Sequence, residues 1–80
     1  MTDVYQQMVE ILTTRFETEP DEIGPDVTFE ELDLDSLFMV ELALVLQKEF
    51  NIRIADEDAT PRTTIGALAG VIEASLARAA

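Results

Sequence analysis

The stretch Asp35-Ser36-Leu37-Phe38-Met39-Val40-Glu41-Leu42-Ala43-Leu44-Val45-Leu46-Gln47-Lys48-Glu49-Phe50 decides how this chain folds. Met39, Leu42, Ala43, Leu46 and Phe50 fall at i, i+3, i+4, i+7 and i+11, the apolar stripe of an amphipathic helix running from about Ser36 to Phe50. The same spacing recurs upstream in Tyr5, Met8, Val9, Leu12 and Phe16, and downstream in Ile65, Leu68, Ala69, Ile72 and Leu76. Three longer helices follow. The first is expected to start at Asp3, a good N-cap, and to end near Thr18, because Pro20, Asp21, Glu22 and Gly24-Pro25 break the pattern. The third is announced by Thr63 or Thr64 as its cap and continues towards Ala77, Ala79 and Ala80, where the end frays.

The connections carry their own signals. Ile52 and Ile54 are apolar anchors after the second helix, and Asp56 to Ala59 reads as one helical turn before Pro61. The loop from Glu19 to Leu34 is long for so small a domain, and loops of that length either serve a function or hide a short helix. Thr28-Phe29-Glu30-Glu31 fits a capping box, which predicts a short turn there, with Val27, Phe29 and Leu32 pinning the loop to the core. The expected fold is all-α: one domain over residues 1–80, with three longer helices, one or two short helical turns and a long loop between the first two long helices. No repeat, low-complexity tract or second domain is visible.

Composition removes most enzymatic readings. The chain has no His and no Cys, and so lacks the usual neutral-pH base, the thiol nucleophile and the commonest soft metal ligands. That argues against unaided catalysis, and with no disulfide available the 48% hydrophobic content must supply the core alone. Met1-Thr2-Asp3 lacks the layout of a signal peptide and no apolar run approaches membrane-spanning length, so a soluble, cytoplasmic protein is expected. No metal ligand set is expected either. A calcium-loop reading of Asp33 and Asp35 fails because Leu37 and Phe38 stand where an oxygen ligand and a Gly belong, and Asp56-Glu57-Asp58 reads as a solvated acidic turn.

Charge narrows the partners. Seventeen acids against five cations give a net charge of −12, which disfavours nucleic acid and anionic membrane and favours a cationic protein patch. No Lys or Arg lies between Phe16 and Gln47, whereas Glu17, Glu19, Asp21, Glu22, Asp26, Glu30, Glu31, Asp33, Asp35 and Glu41 all do. Any one of these acids is explained by solubility. The block as a whole, surrounding Ser36, points to docking.

The second helix carries more apolar surface than one stripe needs. Leu37, Val40 and Leu44 occupy a neighbouring face, and Phe38 and Val45 a third. The loop and last helix leave few residues to cover them, Phe38 least of all, so an apolar edge beside Ser36 and Glu41 is expected to meet a partner. Ser36 taken alone is an ordinary helix N-cap, and Asp35 an acid favourable to the helix dipole. Ser75, the only other serine, sits late in the last helix and reads as filler.

Asp35-Ser36-Leu37, preceded by Phe29 and Leu32 and followed by Val40-Glu41-Leu42, Glu49-Phe50, Ile54, Asp56-Glu57-Asp58 and Thr63-Thr64-Ile65, resembles the acyl carrier proteins of fatty-acid and polyketide synthesis over nearly the whole chain. The tripeptide alone is weak; at the head of the second helix of a small acidic helical domain it is specific. The resemblance implies a small four-helix bundle of the acyl-carrier type and a non-catalytic role. It further implies that Ser36 receives 4′-phosphopantetheine from coenzyme A through a phosphopantetheinyl transferase, and that acyl, malonyl or polyketide groups ride as thioesters on the arm. A phosphodiester at a helix N-terminus is favoured by unpaired N–H groups and the helix dipole. The arm brings the missing thiol, and partner enzymes supply the missing base.

By the same resemblance, Asp35 helps present the hydroxyl to the transferase. Leu37, Phe38, Val40, Glu41 and Leu44 meet the transferase, ketosynthase, ketoreductase, acyltransferase and tailoring enzymes through their basic patches, the carrier itself being a monomer. Many members have Gly where this chain has Asp33, and fatty-acid carriers tend to place acids where it has Phe38, Gln47 and Lys48. This greasier helix face leans towards a discrete carrier of a specialised type II polyketide or modified fatty-acid pathway. A primary fatty-acid carrier, an aminoacyl or peptidyl carrier and a plain acidic adaptor that carries nothing are the alternatives. Asp35 favours acyl cargo over the peptidyl type. Ala43, Ala67, Ala69 and Gly70 on facing helices could open space for cargo or simply pack closely.

Overall fold

A computed structural model describes residues 3–79, and three α-helices form its frame: α1 (Val4–Arg15), α2 (Ser36–Phe50) and α3 (Ile65–Ala79). Asp3 caps α1 by accepting the Gln6 N–H at 3.3 Å, and Thr64 caps α3 by accepting the Ala67 N–H at 3.1 Å. Of the C-terminal alanines expected to be helical, Ala80 lies outside the described residues, as do Met1 and Thr2. α1 stops three residues short of Thr18, because Glu17 turns into the left-handed region at φ 54° and the Thr18 N–H bonds back to the Leu12 carbonyl. α2 ends on Asn51 at φ 55°, whose N–H and that of Ile52 both reach the Gln47 carbonyl. Among the described residues no helix is long and apolar enough to cross a membrane.

Three short 3₁₀ turns lie in the connections, one more than the upper expectation: Pro20–Glu22, Glu30–Leu32 and Asp56–Asp58. The first went unseen because Pro20 reads as a helix breaker, yet Pro suits the first position of a helix, where its missing N–H is not needed. The second rests on the expected capping box: the Thr28 N–H donates to Glu31 Oε2 at 2.8 Å and the Glu31 N–H to Thr28 Oγ1 at 3.2 Å. The fourth helical element of the bundle is thus only a turn, Asp56–Asp58.

The core is built from all these parts. Met39, Leu42 and Leu46 of α2 and Ile65, Leu68, Ala69 and Ile72 of α3 are buried as their stripes require, and α1 packs against α3. α1 is rotated from its expected face: Val4 and Ile11 join Met8 and Leu12 inside, while Tyr5, Val9 and Phe16 are only half-buried. Two overlapping stripes share Met8 and Leu12, and nothing local says which flank turns inward. Ala67 and Gly70 are exposed, so the small residues do not open a gap between α2 and α3.

The long loop is held by backbone. Pro25 O accepts from the Gly66 N–H at 2.9 Å and Val27 O from the Ile65 N–H at 2.9 Å, while the Phe29 N–H donates to Thr63 O at 3.3 Å and the Glu30 N–H to Pro61 O at 2.7 Å. This ladder, with an isolated antiparallel bridge between Thr28 and Thr64, lies over a fully buried Phe29. Val27 and Leu32 pack partly against the core, as expected, and Leu34 is buried as well. Between the last turn of the loop and α2, Asp33 adopts φ 62° and ψ 26°, a left-handed conformation that Gly takes freely and Asp tolerates.

Three stability outcomes follow, each read by thermal or urea unfolding. A Cβ on Gly66 would lie 2.8 Å from the Pro25 carbonyl oxygen, whereas one on Gly70 meets nothing within 4 Å. Gly70→Ala should therefore stabilise by about 0.5–1 kcal/mol and Gly66→Ala should destabilise by about 1–3 kcal/mol; equal responses would contradict the packing described. Asp33→Val should cost about 1–2 kcal/mol while Asp33→Gly costs nothing. Leu42→Asp or Leu68→Asp sets an unpaired charge in the core at a cost of roughly 3–5 kcal/mol or more, comparable with the roughly 4–12 kcal/mol such a small domain has in total. Native helicity surviving in either variant would show that the core is misassigned.

Candidate functional site

The sequence gives two residues able to start α2, Asp35 and Ser36, and the structure divides the work between them. Asp35 takes the N-cap position with extended backbone, and its Oδ1 accepts the Phe38 N–H at 3.1 Å. Its carbonyl accepts the Met39 N–H at 3.0 Å, opening the helical ladder. Ser36 is therefore the first residue inside the helix rather than its cap. Its side chain is exposed, and its hydroxyl makes no hydrogen bond among the described residues. Of the first-turn amides, those of Phe38 and Met39 are taken by Asp35, while those of Ser36 and Leu37 have no acceptor among the described residues. Two N–H groups beside a free hydroxyl suit an anion.

Two grooves meet at Ser36. One, of about 330 Å³, runs towards the loop and is lined by Glu30, Asp33, Leu34, Asp35, Ser36 and Pro61. The other, of about 250 Å³, follows α2 towards the Asp56–Asp58 turn and has a largely apolar lining that includes Met39, Val40, Ala43, Ala59 and Pro61. Glu30 enters the site through the ladder, a contact with Pro61 distant in sequence that no local signal announces, and Asp33 through its own left-handed turn. All ten acids between Phe16 and Gln47 are exposed, so the surface around Ser36 carries a negative field of the kind that attracts a cationic partner.

The apolar edge differs from expectation in one residue. Leu37, Val40 and Leu44 are 73%, 57% and 60% exposed, and with exposed Glu41 they form one face of α2 next to Ser36. Phe38, expected to be the least covered, is the most covered of the four exposed apolar residues at 38%. Its ring packs edge-on against Phe16 at the end of α1, with centroids 5.8 Å apart and planes at 62°. Such a pair is worth about 0.5–1.5 kcal/mol beyond the area it buries, so Phe38 ties α1 to the start of α2. Phe16, half-buried for the same reason, is the neighbour that a helix stripe alone did not reveal.

The site is thus a surface hydroxyl at a helix N-terminus, beside two amides that have no acceptor among the described residues. Comparison with known proteins gives the family. Residues 6–72 match the family described as "Phosphopantetheine attachment site". Among solved structures, an acyl carrier protein from Thermotoga maritima has the same fold, with a TM-score of 0.80 and 24% sequence identity over 94% of this chain and 88% of that one. The chain belongs to the phosphopantetheine-attachment family, non-catalytic carriers of the acyl-carrier fold that bear a covalently bound 4′-phosphopantetheine.

Proposed function

We propose that Ser36 is the residue that bears the arm, and that residues 1–80 act as one carrier unit. The observation that carries this reading is the division of labour at the head of α2: Asp35 caps the helix, which leaves the Ser36 hydroxyl exposed beside two unpaired amides. In the transfer, Ser36 Oγ forms a P–O bond to the phosphopantetheinyl phosphorus of coenzyme A. The pyrophosphate bond breaks, adenosine bisphosphate leaves, and the hydroxyl proton passes to a base on the transferase. The Ser36 and Leu37 N–H groups and the positive end of the α2 dipole then face the phosphodiester. The Asp35 carboxylate opposes that field, which favours a role in presenting the hydroxyl to a cationic or metal-bearing enzyme over one in holding the phosphate.

Once loaded, the thiol at the end of the arm holds acyl groups as thioesters. Every other step is the partners' work: a phosphopantetheinyl transferase first, then ketosynthase, acyltransferase and tailoring enzymes. The acidic rim supports steering by their basic patches, and Leu37, Val40 and Leu44 supply apolar contact once docked. Phe38, Gln47 and Lys48, standing where fatty-acid carriers tend to place acids, support a specialised polyketide or modified fatty-acid pathway over primary fatty-acid synthesis.

Incubation with coenzyme A and a broad-specificity transferase, followed by intact mass measurement, is expected to add one phosphopantetheinyl group to the native chain and none to Ser36→Ala. A gain that survives the substitution sinks the assignment. Glu41→Lys should leave helicity unchanged and lower kcat/KM for transfer several-fold at low salt, with the gap closing as salt rises; a salt-independent rate would remove Glu41 from the interface.

A further inference from the structure

The groove that leaves Ser36 along α2 ends at Asp56, and Asp56 also borders a cleft of about 700 Å³ between α3 and the segment that follows α2. Gln47 lies eleven residues beyond Ser36, about 16 Å further along the helix axis, and lines that cleft. Arg53, Ser75 and Arg78 line it too, and all three recur in an adjoining groove of about 370 Å³ completed by Asn51 and Ile52, which holds no acid. Two of the five cations in a chain of net charge −12 therefore line one groove together with Ser75.

Each Arg taken alone is explained by helix electrostatics. Arg78 stands in the last turn of α3 and Arg53 just past the end of α2, where cations favour the terminal carbonyls. That does not account for their lining the same two hollows as Ser75. Gln47 sharpens the chemistry, because its Oε1 is spent on the Ile54 N–H at 2.9 Å, leaving the side-chain NH₂ to donate. Arg53, Arg78 and Ser75 thus offer hydrogen-bond donors to both hollows, with Gln47 added in the cleft and Asn51 in the adjoining groove. Asp56 and Asp58 also line the cleft but not the adjoining groove, so an anion is favoured where the two hollows share Arg53, Ser75 and Arg78.

We infer that Arg53, Arg78 and Ser75 form a seat for a carboxylate at the free end of the carrier's own cargo, a malonyl-type half-thioester whose arm lies in the groove between Ser36 and Asp56. The inference rests on Ser36 being the attachment point. Guanidinium groups match a carboxylate in a planar, paired geometry that an alkyl chain cannot use. The seat therefore distinguishes dicarboxylic cargo from saturated cargo. No bond is made or broken there.

The test uses the arm-bearing protein, its mass checked first; an absent arm overturns the Ser36 assignment and is seen before the seat is probed. The protein is loaded with malonyl or with its uncharged near-isostere 3-methylbutanoyl, and compared by NMR at low salt. Malonyl alone should shift the side-chain N–H signals of Arg53 and Arg78 and the backbone amide of Ser75. A ¹³C-labelled malonyl carboxylate should titrate about half a pH unit below free malonyl-pantetheine, whereas the field of a −12 chain on its own would raise it. Arg53→Gln with Arg78→Gln, of unchanged helicity, should abolish both effects. Identical spectra for the two cargoes, or a carboxylate titrating at or above the free value, overturns the seat.

Discussion

Four backbone hydrogen bonds between the Pro25–Glu30 stretch and the Pro61–Gly66 segment hold the rest of this fold in place. The loop they capture is long, and a free loop of that length would leave the head of α2 without a fixed position. Closing it over Phe29 converts it into a wall. The ladder costs the chain little beyond ordering, since each N–H and C=O would otherwise need water or another partner. Its demand is geometric: Gly66 must lack a side chain where the Pro25 carbonyl approaches, and Asp33 must accept a left-handed backbone so that the chain can turn from the short Glu30–Leu32 turn into α2.

What the wall delivers is a serine relieved of structural duty. Ser is among the best N-caps, and a Ser at the start of a helix normally spends its oxygen on the first-turn amides. Here Asp35 does that work, and the Ser36 hydroxyl and two amides remain unpaired among the described residues, on an exposed corner between two grooves. The acids around that corner and the aliphatic face beside it act at different ranges. Charge is felt over about 8–10 Å at physiological salt, and apolar contact only on touching. Arg53 and Arg78 line a groove near the far end of α2, outside the acidic block.

Much of this was legible in the sequence because helix stripes and capping boxes are local. α2 has the bounds its spacing predicts, the Thr28–Glu31 box closes as written, and the Asp56 turn lies before Pro61. The failures are contacts between distant segments. The rotation of α1 depends on which flank meets α3, and the partial covering of Phe38 depends on Phe16. The Pro20–Glu22 turn was hidden by a residue that both ends and begins helices. Asp33 was conspicuous as a departure from the usual Gly, and its positive φ supplies the reason Gly is favoured there. Ser75 looked idle in the sequence, and only folding puts it in the lining of one groove with Arg53.

The central claim is that one hydroxyl, singled out by the cap beside it, takes the arm. Fragmentation mass spectrometry of the coenzyme A-treated protein locates the modified residue directly. The account predicts that the phosphopantetheinyl group is found on Ser36 alone; its appearance on Ser75 or on a threonine would contradict it.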